Sequence, residues 1–170
     1  MMRRRFAHQT AGPATAADGA PALRGLPQSA AVLAYAGALP LIIAALLIVV
    51  SPEAYGGAAR AFMIIYGGAL IAFFGGVRWG VAVMRPEGPT FRSLIGGALP
   101  FAAALPLFYP GDAAMKFVLI LIALPILLID DLAATRRGSG APDWYLGARA
   151  PLTILMEFSY LVALAQTLKG

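Results

Sequence analysis

Cysteine is absent, histidine occurs once, and acidic residues number eight in 170 positions. Without cysteine there are no disulfides, no thiolate metal sites and no iron–sulfur clusters. The lone histidine, His8, sits in a polar N-terminal stretch, so ligation of a haem by paired histidines within a membrane is excluded too. No cofactor and no metal are expected. Charge is scarce as well: 12% of residues are charged, about half of the roughly 25% of a soluble domain.

What the chain has instead is hydrophobic residues, at 60%. Such a chain cannot cover itself with polar surface, so lipid is its solvent. Its length leaves room for about five spans of roughly 20 residues and no separate soluble domain. The predicted fold class is all-α, a polytopic transmembrane helix bundle.

Five spans are read at residues 30–50, 61–84, 91–109, 113–132 and 150–168, together forming one domain over 29–170. Pro52 with Gly56-Gly57, then Arg85-Pro86-Glu87-Gly88-Pro89, then Tyr109-Pro110-Gly111-Asp112 supply the turns. The longest polar connection runs from Ala133 to Arg149, and Pro151 is read as opening the fifth span. Residues 1–28 form an Ala/Gly/Pro-rich basic arm, expected to be disordered. Its arginines and near-lack of acids also suit a mitochondrial presequence, although Pro13, Pro21 and Pro27 work against an amphipathic helix.

With the N-terminus inside, nine arginines fall on inner segments: Arg3, Arg4, Arg5, Arg24, Arg85, Arg92, Arg136, Arg137 and Arg149. Only Arg60, Lys116 and Lys169 fall outside. The positive-inside bias therefore predicts a cytoplasmic N-terminus and a C-terminus on the opposite side. Trp79, Trp144 and Tyr145 then belong to the inner aromatic belt. The net charge of +5 is explained by topology, so no nucleic-acid partner is expected.

The second span organises the chain. Gly68, Ala72, Gly76 and Gly80 recur every fourth residue and make a smooth ridge on which another helix can pack. Arg78 falls on a different face, beside Gly67, Ile71 and Gly75. A helix with a ridge on one side and a charge on the other is predicted to have neighbours on both.

A charge within the bilayer costs about 2.5–3.5 kcal/mol on insertion scales and demands a reason. Arg78 lies six residues before Met84, and Glu157 six after Pro151, about 9 Å from the same surface in each case. Equal depth and opposite sign predict an ion pair between spans two and five. Arg149, Thr153, Glu157 and Tyr160 share one face of the fifth span and extend the expected polar network. Three roles compete for the pair: a structural clasp, an arginine snorkelling to headgroups, or a ligand site.

Asp130 and Asp131 end the fourth span, where a helix C-terminus disfavours acids. Either they are solvated or a partner such as Arg149 or Arg85 holds them; as adjacent residues they are poorly placed to chelate one metal. Pro40, Pro100, Pro106 and Pro125 interrupt three spans, as ordinary kinks or as hinges around a binding site. Tyr35-Ala-Gly-Ala-Leu-Pro40 echoes Ile95-Gly-Gly-Ala-Leu-Pro100, which is either a parallel duplication or chance in an Ala/Gly/Leu-rich chain.

Catalytic groups are wanting. No serine–base pair is suggested by spacing, and polar residues concentrate on the inner side, so neither an enzyme nor a proton or ion path is expected. The leading expectation is a non-enzymatic accessory, assembly or scaffold component of a larger membrane complex, with lipids and other membrane subunits as candidate partners. The rival is a small carrier or anionic-lipid-binding protein using Arg78 and Glu157, with nearby inner arginines.

The block Tyr66-Gly67…Phe74-Gly75-Gly76-Val77-Arg78-Trp79-Gly80 resembles the domain-of-unknown-function 3429 family, which takes in transmembrane protein 69-like proteins of mitochondria. The likeness extends to Gly37, Pro40, Pro142, Trp144, Tyr145, Arg149 and Thr153. It implies a several-span integral protein of proteobacterial inner membranes or mitochondria, and no activity. Richness in Ala, Gly and Arg with little Lys fits a high-GC bacterium, hence the bacterial inner membrane, with the mitochondrial inner membrane as the alternative.

Overall fold

The computed structural model describes residues 28–138, 141–142 and 144–169. The basic arm over 1–27, read above as disordered, lies outside the described residues. Five helices emerge, with no strand among the described residues: α1 Gln28–Val50, α2 Gly56–Val83, α3 Phe91–Ala104, α4 Ala113–Arg136 and α5 Tyr145–Thr167. All five, α3 counted with the 3-10 turn Leu105–Phe108 that continues it, are long and apolar enough to cross a membrane.

Local chemistry sets the boundaries. Thr90 and Ser93 form a reciprocal capping box at the start of α3. Pro106 has no N–H to continue α3, and the chain tightens into the 3-10 turn. Lys116 then donates to the carbonyls of Leu107 and Tyr109, tying that turn to α4. Asp112 caps α4 by accepting from the Met115 N–H at 2.7 Å.

Three boundaries depart from expectation: α2 begins at Gly56, so the Gly56-Gly57 read as a turn is helical, α4 runs on to Arg136, and α5 starts early. α5 begins at Tyr145 rather than near Pro151, which sits at the helix's seventh position. Proline costs least in the first turn, where N–H groups have no intrahelical partner, and that preference suggested the later start. Two effects offset its cost here. Arg149 and Thr153 bond across one turn, and neighbouring helices hold the segment.

Helix α2 is central: α1, α3 and α4 pack against it, while α5 closes the other side against α1 and α4. Side chains of Arg60 and Tyr160 bridge α2 and α5. Arg60 Nε donates to Thr167 Oγ1 at 3.1 Å, and the Tyr160 hydroxyl donates to the Met63 carbonyl at 2.9 Å. The core between the helices holds Leu41, Ile48, Met63, Ile71, Phe117, Ile120, Leu124, Met156 and Tyr160, all fully buried. Phe73, Leu99, Ile126 and Phe158 point outward. Lipid removes the hydrophobic drive between spans, so close packing and interhelical hydrogen bonds hold the bundle.

Close approach uses a different set of glycines from the ridge. A Cβ on Gly75 would lie 2.6 Å from the Gly97 carbonyl oxygen, and one on Gly97 would lie 2.9 Å from the Trp79 nitrogen. One on Gly67 would meet the Tyr160 hydroxyl at 2.6 Å. Of the expected ridge, Gly68 packs against Phe108 and Ala72 is half-buried, but Gly76 and Gly80 meet nothing within 4 Å. The packed face of α2 is the one that carries Arg78. The reason is physical: a membrane-embedded charge has to face the bundle, and the small residues beside it let neighbours come close.

The helices alternate in direction. Ala30, Arg78, Asp130 and Arg149 gather at one end, which also carries Arg85, Arg92 and Arg137. Arg60 and Thr167 meet at the other. The first described residue and the end of α5 therefore lie at opposite ends of the bundle. The echoed segments of α1 and α3 both lie against α2, and each offers it a backbone carbonyl near its proline.

Candidate functional site

The arginine-rich end is built on a four-residue ion cluster drawn from α2, α4 and α5. Arg78 spends all three of its nitrogens. Its Nη2 pairs with Asp130 Oδ2, its Nε with Asp131 Oδ1 at 3.1 Å, and its Nη1 donates to the Gly96 carbonyl at 3.3 Å. That carbonyl belongs to the residue four before Pro100, so the proline leaves it without its usual helical donor. Pro100 of α3 thus frees an acceptor that Arg78 takes up.

Asp131 is only 4% exposed and receives donors from two helices. Beside Arg78, its Oδ2 accepts from Arg149 Nε at 3.4 Å and from the Tyr145 hydroxyl at 3.3 Å. Arg149, 2% exposed, also donates Nη1 to Thr153 Oγ1, and its Cζ sits 3.4 Å from the centre of the Phe74 ring. Arg137, on the surface, approaches Asp130 at 3.9 Å. A buried cluster of this kind persists because every charge is offset and hydrogen-bonded; removing one member is expensive.

The expected pair between Arg78 and Glu157 does not form. Arg78 is engaged by the two aspartates, and Glu157 Oε1 is buried without a hydrogen-bond partner among the described residues. The earlier start of α5 explains the mismatch. Measured from Tyr145, Glu157 lies twelve residues in, about 18 Å along the helix, whereas Arg78 is five residues from the end of α2, about 7.5 Å. Asp131 lies five residues from the end of α4 and Arg149 four from the start of α5, so these two share Arg78's depth. Glu157 lies roughly 10 Å deeper.

The remaining sequence-picked residues divide. Thr153 joins the cluster, while Tyr160 is engaged elsewhere, on Met63. Trp144 and Tyr145 stand at the arginine-rich end, facing a cleft; Trp79 is partly exposed and contributes its backbone to the contact with Gly97. Phe74 and the Gly96 carbonyl were missed. Pro100, read with Arg78 at matching depth, was the available signal for the second.

Above the cluster opens a cleft of about 1500 Å³, lined by all five helices. Its apolar lining includes Leu33, Phe73, Phe74, Val77 and Leu99. Toward the end it is charged, with five arginines (Arg78, Arg85, Arg92, Arg137 and Arg149) against three acids (Glu87, Asp130 and Asp131). Among the described residues the lining thus carries an excess of two positive charges. One donor in the wall is left over: Arg149 Nη2 is buried and has no hydrogen-bond partner among the described residues.

An apolar bundle whose internal charges are matched across helices defines a multi-pass integral membrane protein. Residues 26–165 match the family described as "Protein of unknown function (DUF3429)", and the chain belongs to that family. It is also 34% identical over 146 residues to the protein named Transmembrane protein 69 of Xenopus tropicalis. That match covers 84% of this chain and 56% of the frog protein, so the chain spans little more than half the length of that relative. No solved structure matches.

Proposed function

We propose that this is a non-enzymatic binding protein of the membrane, which takes an amphiphilic molecule from the bilayer into the cleft at its arginine-rich end. The observation that supports this is the lining itself. A single concave surface runs from lipid-depth apolar residues such as Phe73 and Leu99 to arginines at the end of the bundle. Sites that hold small molecules combine an apolar wall with a few convergent polar groups in this way. Asp130 and Asp131 neutralise Arg78 and Arg149 but leave the basic excess of the cleft in place.

The arginine-rich end faces the cytoplasm under the positive-inside rule, and the membrane is the bacterial inner membrane. The mitochondrial inner membrane is the second reading, and the vertebrate relative favours it. The test of binding uses Trp144 in the cleft as a reporter. In a Trp79→Phe variant it is the sole indole, and a lipid with brominated chains should quench it saturably at about one molecule per protein. Quenching that rises only in proportion to bulk lipid would overturn the proposal.

A second role as an accessory component of a larger complex has one observation in its favour. Gly76 and Gly80 leave a smooth strip on α2 that nothing among the described residues covers. Native electrophoresis after gentle solubilisation tests it: migration as a lone bundle removes it.

A further inference from the structure

We infer that the cleft's occupant is an anionic phospholipid, and that Arg149 is the residue that anchors its phosphate. This rests on the cleft being a binding site and adds the chemistry of the ligand. Three observations lead there. The first is the unpartnered donor: Arg149 is nine-tenths buried and more, it borders the cleft, and its Nη2 has no acceptor. A charged donor buried without an acceptor is destabilising, so an oxygen arriving from the cleft completes a shell that the protein leaves open.

The second observation is charge. The ion cluster of Arg78, Asp130, Asp131 and Arg149 is neutral taken alone, and Arg92 and Arg137 against Glu87 leave the described lining positive without counting Arg85. Those residues surround the mouth, and a ligand that also carries negative charge balances them. A zwitterionic lipid brings no net charge and leaves the excess standing. The third is shape. α1 and α3 both line the cleft, yet each packs against α2 rather than broadly against the other. The exposed side chains Leu33, Phe73 and Leu99 lie along the resulting gap, at the depth of acyl chains.

Arg149 is suited to the anchoring role by the way it is held. Nε is fixed on Asp131, Nη1 on Thr153, and the guanidinium plane lies on Phe74. Nη2 is the one nitrogen of this held guanidinium left for a ligand, and a planar fork recognises a phosphate oxygen in a fixed direction. Lysine at this position keeps the charge facing Asp131 but lacks the second arm of the fork.

The test reconstitutes the full chain with equal phosphatidylcholine and phosphatidylglycerol, re-extracts it in mild detergent, and counts retained lipid by native mass spectrometry. The wild-type protein should retain one phosphatidylglycerol in preference to phosphatidylcholine. Arg149→Lys should weaken that retention about tenfold, the loss of one charge-assisted hydrogen bond. Arg92→Gln with Arg137→Gln, both on exposed residues of the mouth, should lower it several-fold without changing the melting temperature. The double variant decides the matter if Arg149→Lys does not fold. Equal retention of the two lipids overturns the anionic assignment while leaving the cleft a binding site; retention of neither overturns both. Displacement of the lipid by inorganic phosphate alone overturns the lipid and assigns the site to a free anion.

Discussion

Gly75 of α2 and Gly97 of α3 meet with no room for a methyl group between them: a Cβ on the first would stand 2.6 Å from the carbonyl of the second. The obstacle is backbone, which cannot swing aside. Gly75→Ala should therefore force the helices apart and lower the melting temperature in detergent, by the equivalent of about 1–3 kcal/mol. Its neighbour Gly76 meets nothing within 4 Å, so Gly76→Ala should be neutral or slightly stabilising. Equal losses at the two positions would contradict the packing described here.

Asp131 serves two arginines at once. Asp131→Ala leaves both buried guanidinium groups short of a counter-charge and should cost about 3–5 kcal/mol, measured by detergent or denaturant titration. Asp130→Asn should cost distinctly less, because Asp130 is half exposed and solvent screens its attraction for Arg78 and Arg137.

A double-mutant cycle separates the two candidate partners of Arg78. Arg78→Ala and Asp131→Ala should be non-additive, with a coupling above about 0.5 kcal/mol. Arg78→Ala and Glu157→Ala should add within that margin. Glu157→Gln removes a charge that has no partner at Oε1, so it should leave the fold intact or raise its melting temperature.

Tyr160 and Gly67 are a matched pair of another kind. Tyr160→Phe removes the hydroxyl that bonds the Met63 carbonyl and should cost about 1 kcal/mol. The same substitution should recover part of the loss caused by Gly67→Ala, because the added methyl would fall 2.6 Å from that hydroxyl. Recovery is partial, since Ile120 Cδ1 also stands 2.7 Å away.

Hydropathy and turn residues made all five spans legible, and each has at least one end within two residues of where sequence placed it. The start of the fifth was five residues out, because Trp144, Tyr145 and Arg149 look like a polar connection until their partners on α4 are known. That single boundary misplaced Glu157 by about two turns and with it the ion pair. The aspartates that take Arg78 were visible at the right depth, but their position at a helix C-terminus argued for solvent. The spacing of Gly68, Ala72, Gly76 and Gly80 was regular, whereas the glycines that pack were Gly67 and Gly75, on the face of Arg78. Regular spacing reports where a helix can be approached; a buried charge reports where it is.

The link between Arg78 and α4 spans 52 residues of sequence. During synthesis, therefore, α2 emerges with its guanidinium lacking both carboxylates, and α3 can lend it only the Gly96 carbonyl. The arrival of α4 supplies both carboxylates at once, so the bundle's charge balance is completed by its fourth helix.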